Sequence, residues 1–347
     1  MQRTTLGRTG LEVSRICLGT MTWGGQNDEA EGHAQIDMAL DRGVDFLDTA
    51  EMYPTNPVRA ETVGRTEEII GAWIARTGRR DDLVIATKIA GPGNPQVRDG
   101  APITPAAVRA CVDASLRRLR TDRIDLYQLH WPNRGSYHFR QNWRFDPSGR
   151  DTGRIVEDMA AVGEALAGLV AEGKSRAFGL SNETAWGTMQ WLRLAETAGA
   201  PRVASVQNEY SLLCRLYDTD MAEVSAQEDV TLLAFSPLAA GLLTGKYQGG
   251  AVPAGSRLER TPGLSGRVTG RSFAAIAAYH EVAARHGFDP VQMAIAFTMA
   301  RPFPAIPIVG ATSTAQLDCA LGAADLRLSE AALDDIAAVH MAHPMPF

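Results

Sequence analysis

The chain has 347 residues, 45% of them apolar or aromatic, with 34 basic against 40 acidic side chains and a net charge of −6. No dense Lys/Arg cluster marks a nucleic-acid footprint, and no run of about 18 uncharged apolar residues suggests a membrane span. The opening MQRTTLGRTG lacks the apolar centre of a signal peptide, so a cytoplasmic protein is expected, folding as one domain over 1–347.

TTLGRTGLEVS, at the start, reads as a hairpin. Short apolar runs then alternate with longer segments of helical period. RICLGT (15–20) precedes the helical DEAEGHAQIDMALDRG, and VDFLDTA (44–50) precedes GRTEEIIGAWIARTG. LVIATK (83–88) leads to TPAAVRACVDASLRRL, where Pro follows a Thr cap. IDLYQLH (124–130) leads to RIVEDMAAVGEALAGLVAEG, SRAFGL (175–180) to ETAWGTMQWLRLAETAG, and VASVQN (203–208) to TDMAEVSAQED. TLLAFS (231–236) is paired with SFAAIAAYHEVAARHG, AIPIV (305–309) with TSTAQLDCALGAA, and LSEAALDDIAAVH reads as an added C-terminal helix.

Eight strands alternating with eight helices predict a (β/α)8 TIM barrel, with an N-terminal β-hairpin and an extra C-terminal helix. An open dinucleotide-binding sheet is disfavoured: no G-x-G-x-x-G follows the first strand, and GPGNP (91–95) has the wrong spacing. The longest loops, Trp131–Arg154 and Ala239–Arg271, fall on one face of such a barrel. Cys17, Cys111, Cys214 and Cys319 are too scattered for a disulfide framework or a thiolate metal site, and are expected to be buried reduced thiols.

Barrel chemistry gathers at the C-terminal ends of strands. The second strand ends at Asp48 and runs on to Tyr53, the third ends at Lys88, and the fourth at His130. Taken singly, Asp48 could cap a helix, Lys88 could snorkel, Tyr53 could pack on Pro54, and His130 could be a core histidine. Four titratable groups on three consecutive strand ends point instead to proton donation onto a carbonyl oxygen. Tyrosine keeps its proton at neutral pH, and a neighbouring ammonium, held by Asp48, lowers its pKa and eases transfer; a neutral imidazole polarises the oxygen. Reduction then needs a cofactor. Ser181, Asn182 and Gln207 on the next strand ends suit a carboxamide, Phe235 offers a flat face for a ring, and Lys246 and Arg257 offer charge for phosphates. Trp23 and Trp131, with Tyr137, Phe139 and Trp143, suggest an aromatic mouth for the substrate. Arg134, Arg140, Arg144 and Arg150 could meet a carboxylate, meet phosphates, or be solvated.

GRTGLEVSRICLGTMTWG, DFLDTAEMY, LVIATK, SLRRLRTDRIDLYQLHWP, GLSNE, VQNEYSLL and IVGATS together resemble the aldo-keto reductases over almost the whole chain. PTNPVRAETVGRTEEIIGAW and PAGSR are similar to the bacterial Tas-like branch. The resemblance implies a tetrad of Asp48, Tyr53, Lys88 and His130 with Tyr53 as general acid. It also implies NADPH, or NADH, held by Ser181, Asn182, Gln207 and Phe235, by Ser236, Pro237, Leu238, Gly241, Lys246 and Arg257, and by Gly310, Thr312 and Gln316. Phe235 stands where the family usually has tyrosine, and Cys319 and Ala320 stand where an acid and an asparagine are usual. The expected function is NADP(H)-dependent reduction of a small aldehyde or ketone, without metal, nucleic acid or membrane, and with self-association left open. The alternatives are a nucleotide-sensing binding module and a Schiff-base aldolase using Lys88.

Overall fold

A computed structural model describes residues 1–347. Ten strands form two sheets. β1 (Arg3–Thr5) and β2 (Glu12–Ser14) pair antiparallel as the expected hairpin. The other eight are β3 (Cys17–Gly19), β4 (Phe46–Asp48), β5 (Val84–Ile89), β6 (Ile124–Leu129), β7 (Ser175–Ser181), β8 (Val203–Glu209), β9 (Thr231–Phe235) and β10 (Ala305–Val309). They run parallel and close into a barrel in chain order, with β10 beside β3. The (β/α)8 fold is therefore as expected.

The helices are α1 (Glu29–Asp41), α2 (Arg65–Thr77), α3 (Pro105–Leu119), α4 (Thr152–Ala171), α5 (Ala185–Thr197), α6 (Asp220–Glu228), the short α7 (Arg257–Arg260), α8 (Gly270–Arg285), α9 (Pro290–Met299), α10 (Thr314–Leu321) and α11 (Glu330–Ala342). Their starts follow local chemistry. Asp28 and Glu31 form a capping box, Thr104 caps α3 with Pro105 at its first position, and Ser329 accepts from Ala332 N to start the C-terminal helix. None is long and apolar enough to cross a membrane.

One helix departs from the alternation. The segment ending HEVAARHG becomes α8, but α8 packs on α11 outside the barrel, and the helix leading into β10 is α9. Asp289 caps α9 through Val291 N and Gln292 N, with Pro290 at its first position. Its apolar run, PVQMAIAFTM, is buried so widely that it carries little amphipathic signal. The cysteines are all free, but only Cys17 and Cys111 are buried; Cys214 and Cys319 are half-buried.

Alternation along each strand layers the barrel interior. Cys17, Phe46, Ala86, Leu126, Ala177, Ala204, Leu233 and Ile306 form an apolar lower layer, closed from below by Leu6, Leu11 and Val13 of the hairpin. Fully burying each of the larger side chains is worth about 1.5–3 kcal/mol. Two residues further along β4, β5 and β6 the same inner face carries Asp48, Lys88 and Gln128, all buried. The interior therefore turns polar one layer below the mouth.

Candidate active site

Lys88 is wholly buried, and its Nζ donates to Asp48 Oδ2 at 2.7 Å and to the Thr49 carbonyl at 2.7 Å. The other Asp48 oxygen accepts from Gln207 Nε2 at 2.7 Å and from Gln128 Nε2 at 3.2 Å. Burial pulls the Lys88 pKa down, but the Asp48 carboxylate and Tyr53 together outweigh it and the net shift is upward, so Lys88 stays an ammonium.

Tyr53 lies above this pair, with Lys88 Nζ 4.9 Å from its ring centroid. Here the structure corrects an expectation. Burial pushes the phenol above its ordinary value, and the Lys88 ammonium only partly opposes that rise. Tyr53 is thus firmly protonated at neutral pH, and Lys88 limits the cost of the phenolate rather than producing one in advance.

His130 faces Tyr53 at 5.9 Å between centroids, in an edge arrangement. Burial, helped by the Lys88 charge, holds its pKa well below the ordinary imidazole value. Its buried Nδ1 has no hydrogen-bond partner in the chain. Asp48, Tyr53, Lys88 and His130 are thus brought together as expected.

On the next strands, Asn182 adopts a left-handed conformation (φ 51°), and its buried side chain donates through Nδ2 to the His130 carbonyl at 2.9 Å. Ser181 Oγ donates to the Gln207 carbonyl at 2.8 Å. Asn182 Oδ1 is buried without a partner, and Gln207 spends its amide hydrogens within the chain. Phe235 is half-buried and packs on the interior layer; its flat face, together with the unmet Asn182 oxygen, suits a ring bearing a carboxamide. A nicotinamide fits these residues.

Beyond Phe235 the chain curls through left-handed residues at Ser236, Ala239, Ala240 and Gly241 while Pro237 stays buried and Leu238 half-buried. A Cβ at Gly241, whose φ is 91°, would lie 3.3 Å from Lys246 Cε, so the lysine stem crosses this turn. Lys246 is exposed, with its ammonium 5.2 Å from the Tyr247 ring centroid. Arg257 is half-buried and forms no ion pair; burial and the neighbouring Arg267 lower its pKa to about 10. At the end of β10, Gly310 leads to the first turn of α10, where Gln316 Oε1 accepts from Thr312 N at 3.1 Å and Thr312 Oγ1 at 3.0 Å.

Trp131 lines the mouth, its ring 5.0 Å from His130 and 6.2 Å from Phe139. Trp23 does not. It is fully buried, packed where Gly32 leaves room against α1, and its Nε1 donates to Gln35 Oε1 at 3.3 Å. An indole on a loop next to a glycine pair reads as exposed, yet here it fills the gap between the first barrel helices. Tyr137 packs on Phe145, and Trp143 is exposed with Arg271 5.7 Å above its ring.

Three residues important to this geometry were not anticipated. Gln128 lies two residues before His130, and alternation alone puts it on the same inner face. Glu209 accepts from Arg140 Nη1 at 2.9 Å and Arg267 Nε at 2.7 Å, tying both long loops together over the mouth. Arg140 is thus occupied by a carboxylate of the chain, as is Arg134 by Glu183. Arg267 carries no local pattern that reveals its partner.

Residues 15–340 match the Aldo/keto reductase family. Along its whole length the chain is 43% identical to "Protein tas" of Escherichia coli, covering 99% of that protein. It is 30% identical over 99% of its length to a "Probable voltage-gated potassium channel subunit beta" of Arabidopsis thaliana, covering 98% of it. It is 27% identical over 92% of its length to "Aldo-keto reductase yakc [NADP(+)]" of Schizosaccharomyces pombe, covering 85% of it.

Proposed function

The chain belongs to the aldo/keto reductase family, and we propose that it reduces aldehydes or ketones to alcohols with NADPH, using Tyr53 as the general acid. One observation carries the reading: a protonated phenol stands beside an ammonium that is itself fixed by a buried carboxylate. When bound, the reduced nicotinamide supplies the hydride. Tyr53 donates its proton to the carbonyl oxygen, and Lys88 stabilises the phenolate left behind. His130, neutral, donates a ring N–H to the same oxygen and fixes its direction. Asp48 keeps Lys88 charged and in place. Ser181, Asn182 and Gln207 orient the carboxamide, Phe235 supports the ring, and Lys246 and Arg257 meet the phosphates.

The NADP(+) in the name of the Schizosaccharomyces pombe relative supports the choice of NADPH over NADH. Trp131 and Phe139 favour an apolar or aromatic carbonyl. A Schiff-base reading loses support, because a lysine held as an ammonium by Asp48 is a poor nucleophile. The test is steady-state oxidation of NADPH and NADH by the purified protein over a panel of aldehydes and ketones. Turnover with NADPH supports the reading. Tight NADPH binding without turnover of any carbonyl would replace it with nucleotide sensing.

A further inference from the structure

Gln128 has no place in the proton-transfer set, yet it is a fully buried polar side chain in the centre of the barrel. Its environment is built around it. Gln128 pairs in register with Gly179 of β7, and a Cβ at 179 would lie 3.2 Å from Gln128 Cγ and 2.7 Å from Ser205 Oγ. The missing side chain opens a gap through which Gln128 reaches across β7 to Gln207 of β8. There Gln128 Oε1 accepts from Gln207 Nε2 at 3.3 Å, while Gln128 Nε2 donates to Asp48 Oδ1 at 3.2 Å.

The directions of these bonds follow from charge. Asp48, paired with the Lys88 ammonium, is a carboxylate and only accepts, so both amides must turn their NH2 groups toward it. Gln207 therefore gives one hydrogen to Asp48 and the other to Gln128. Its oxygen takes no hydrogen bond from the chain. Gln207 can present only an acceptor to whatever enters the mouth.

We propose that Gln128 is a positioning residue that occupies the second N–H of Gln207, so that the site accepts a carboxamide, which donates, and rejects a carboxylate, which does not. The inference rests on the nicotinamide part of the proposed function and adds a selectivity to it. It predicts discrimination between NADP+ and its nicotinic-acid analogue, which differ only in that group.

The experiment is equilibrium binding of both nucleotides, followed by quenching of tryptophan fluorescence or by calorimetry, to wild type, Gln128→Met and Gln128→Glu. Wild type should prefer NADP+ by about tenfold or more, the size of one well-placed hydrogen bond. Gln128→Met keeps volume but frees the second N–H to meet a carboxylate, and the preference should shrink by about fivefold or more. Gln128→Glu, protonated beside Asp48, still accepts from Gln207 and should keep the wild-type preference within about twofold. Equal affinities in wild type, an unchanged preference in Gln128→Met, or equal losses in both variants would each overturn the proposal. The wild-type comparison stands even if a variant does not fold. Failure to bind either nucleotide would overturn the nicotinamide reading and this inference together, whereas selective binding without carbonyl turnover would overturn only the reductase reading.

Discussion

Lys88 Nζ sits 2.7 Å from Asp48 Oδ2 in an interior that leaves the lysine side chain no exposure and the aspartate 3%. Such a pair is expensive to desolvate and more expensive to break, because removing one partner strands the other charge. Lys88→Met should therefore lower unfolding free energy by about 3 kcal/mol in urea titrations, with the two amide donors on Asp48 limiting the loss. A loss below about 1 kcal/mol would mean that Asp48 is protonated in the fold and that the pair is not ionic.

Tyr53→Phe removes one oxygen and keeps the ring beside Lys88 and His130. Cofactor affinity should change by less than about twofold while kcat falls by about two to four orders of magnitude, the range for loss of a positioned proton donor. Retained kcat would assign the proton to another group, His130 first.

Arg257 is a partly desolvated guanidinium with no counter-ion in the chain. A phosphate ester with close to two negative charges is the partner that would relieve it most. Arg257→Ala should weaken NADPH binding by about tenfold and NADH binding by clearly less. Equal losses measured by fluorescence titration would move Arg257 from the 2′-phosphate to the diphosphate shared by both cofactors.

Glu209 is the one carboxylate bonded to both Arg140 and Arg267. Glu209→Gln leaves those guanidiniums without a counter-charge, and should cost about 2 kcal/mol or more of stability. The readout specific to its place between the loops is limited trypsin digestion, in which cleavage within 239–271 should become the earliest event. If that segment is cut no faster than in wild type, the ion triad does not hold the loops.

His138 is buried with Nε2 3.0 Å from the Glu183 carbonyl, and burial lowers its pKa to about 4. Its folded value lies below its unfolded value of about 6.5, so on acidification the unfolded chain takes up a proton that the fold resists. The stability it contributes is complete above about pH 6.5 and is lost as pH falls toward 4, at about 1.4 kcal/mol per pH unit. His130 adds a slope of the same sign. Denaturation of His138→Gln across pH 4–7 should show a slope smaller than wild type by that amount, and identical slopes would mean that His138 is already charged in the fold.

Much of the site could be read from spacing, because a barrel strand has a period of two and ends where its loop begins. DFLDTAEMY, LVIATK and IDLYQLH each place an acid, base or imidazole at such an end, and the structure gathers all of them. The same rule applied one step back from His130 reaches Gln128, whose polarity was visible but whose partner was not. Trp23 shows the opposite case. Its loop position was legible, but whether an indole turns out to the mouth or in against α1 depends on the space that Gly32 leaves, a packing fact with no local signal.

By itself the sequence determined the eight alternating strands, the caps that start the helices, and the layer of polar residues at the strand ends, since all of these follow from interactions between residues close in the chain. Only the tertiary structure decided that α9 rather than α8 leads into the last barrel strand, that Glu209 joins Arg140 to Arg267, and that Gln128 meets Gln207 through the gap at Gly179. The last two of these join positions far apart in the chain. They exist because closing the barrel brings distant strands to neighbouring places and makes buried polar atoms find partners wherever closure has put them.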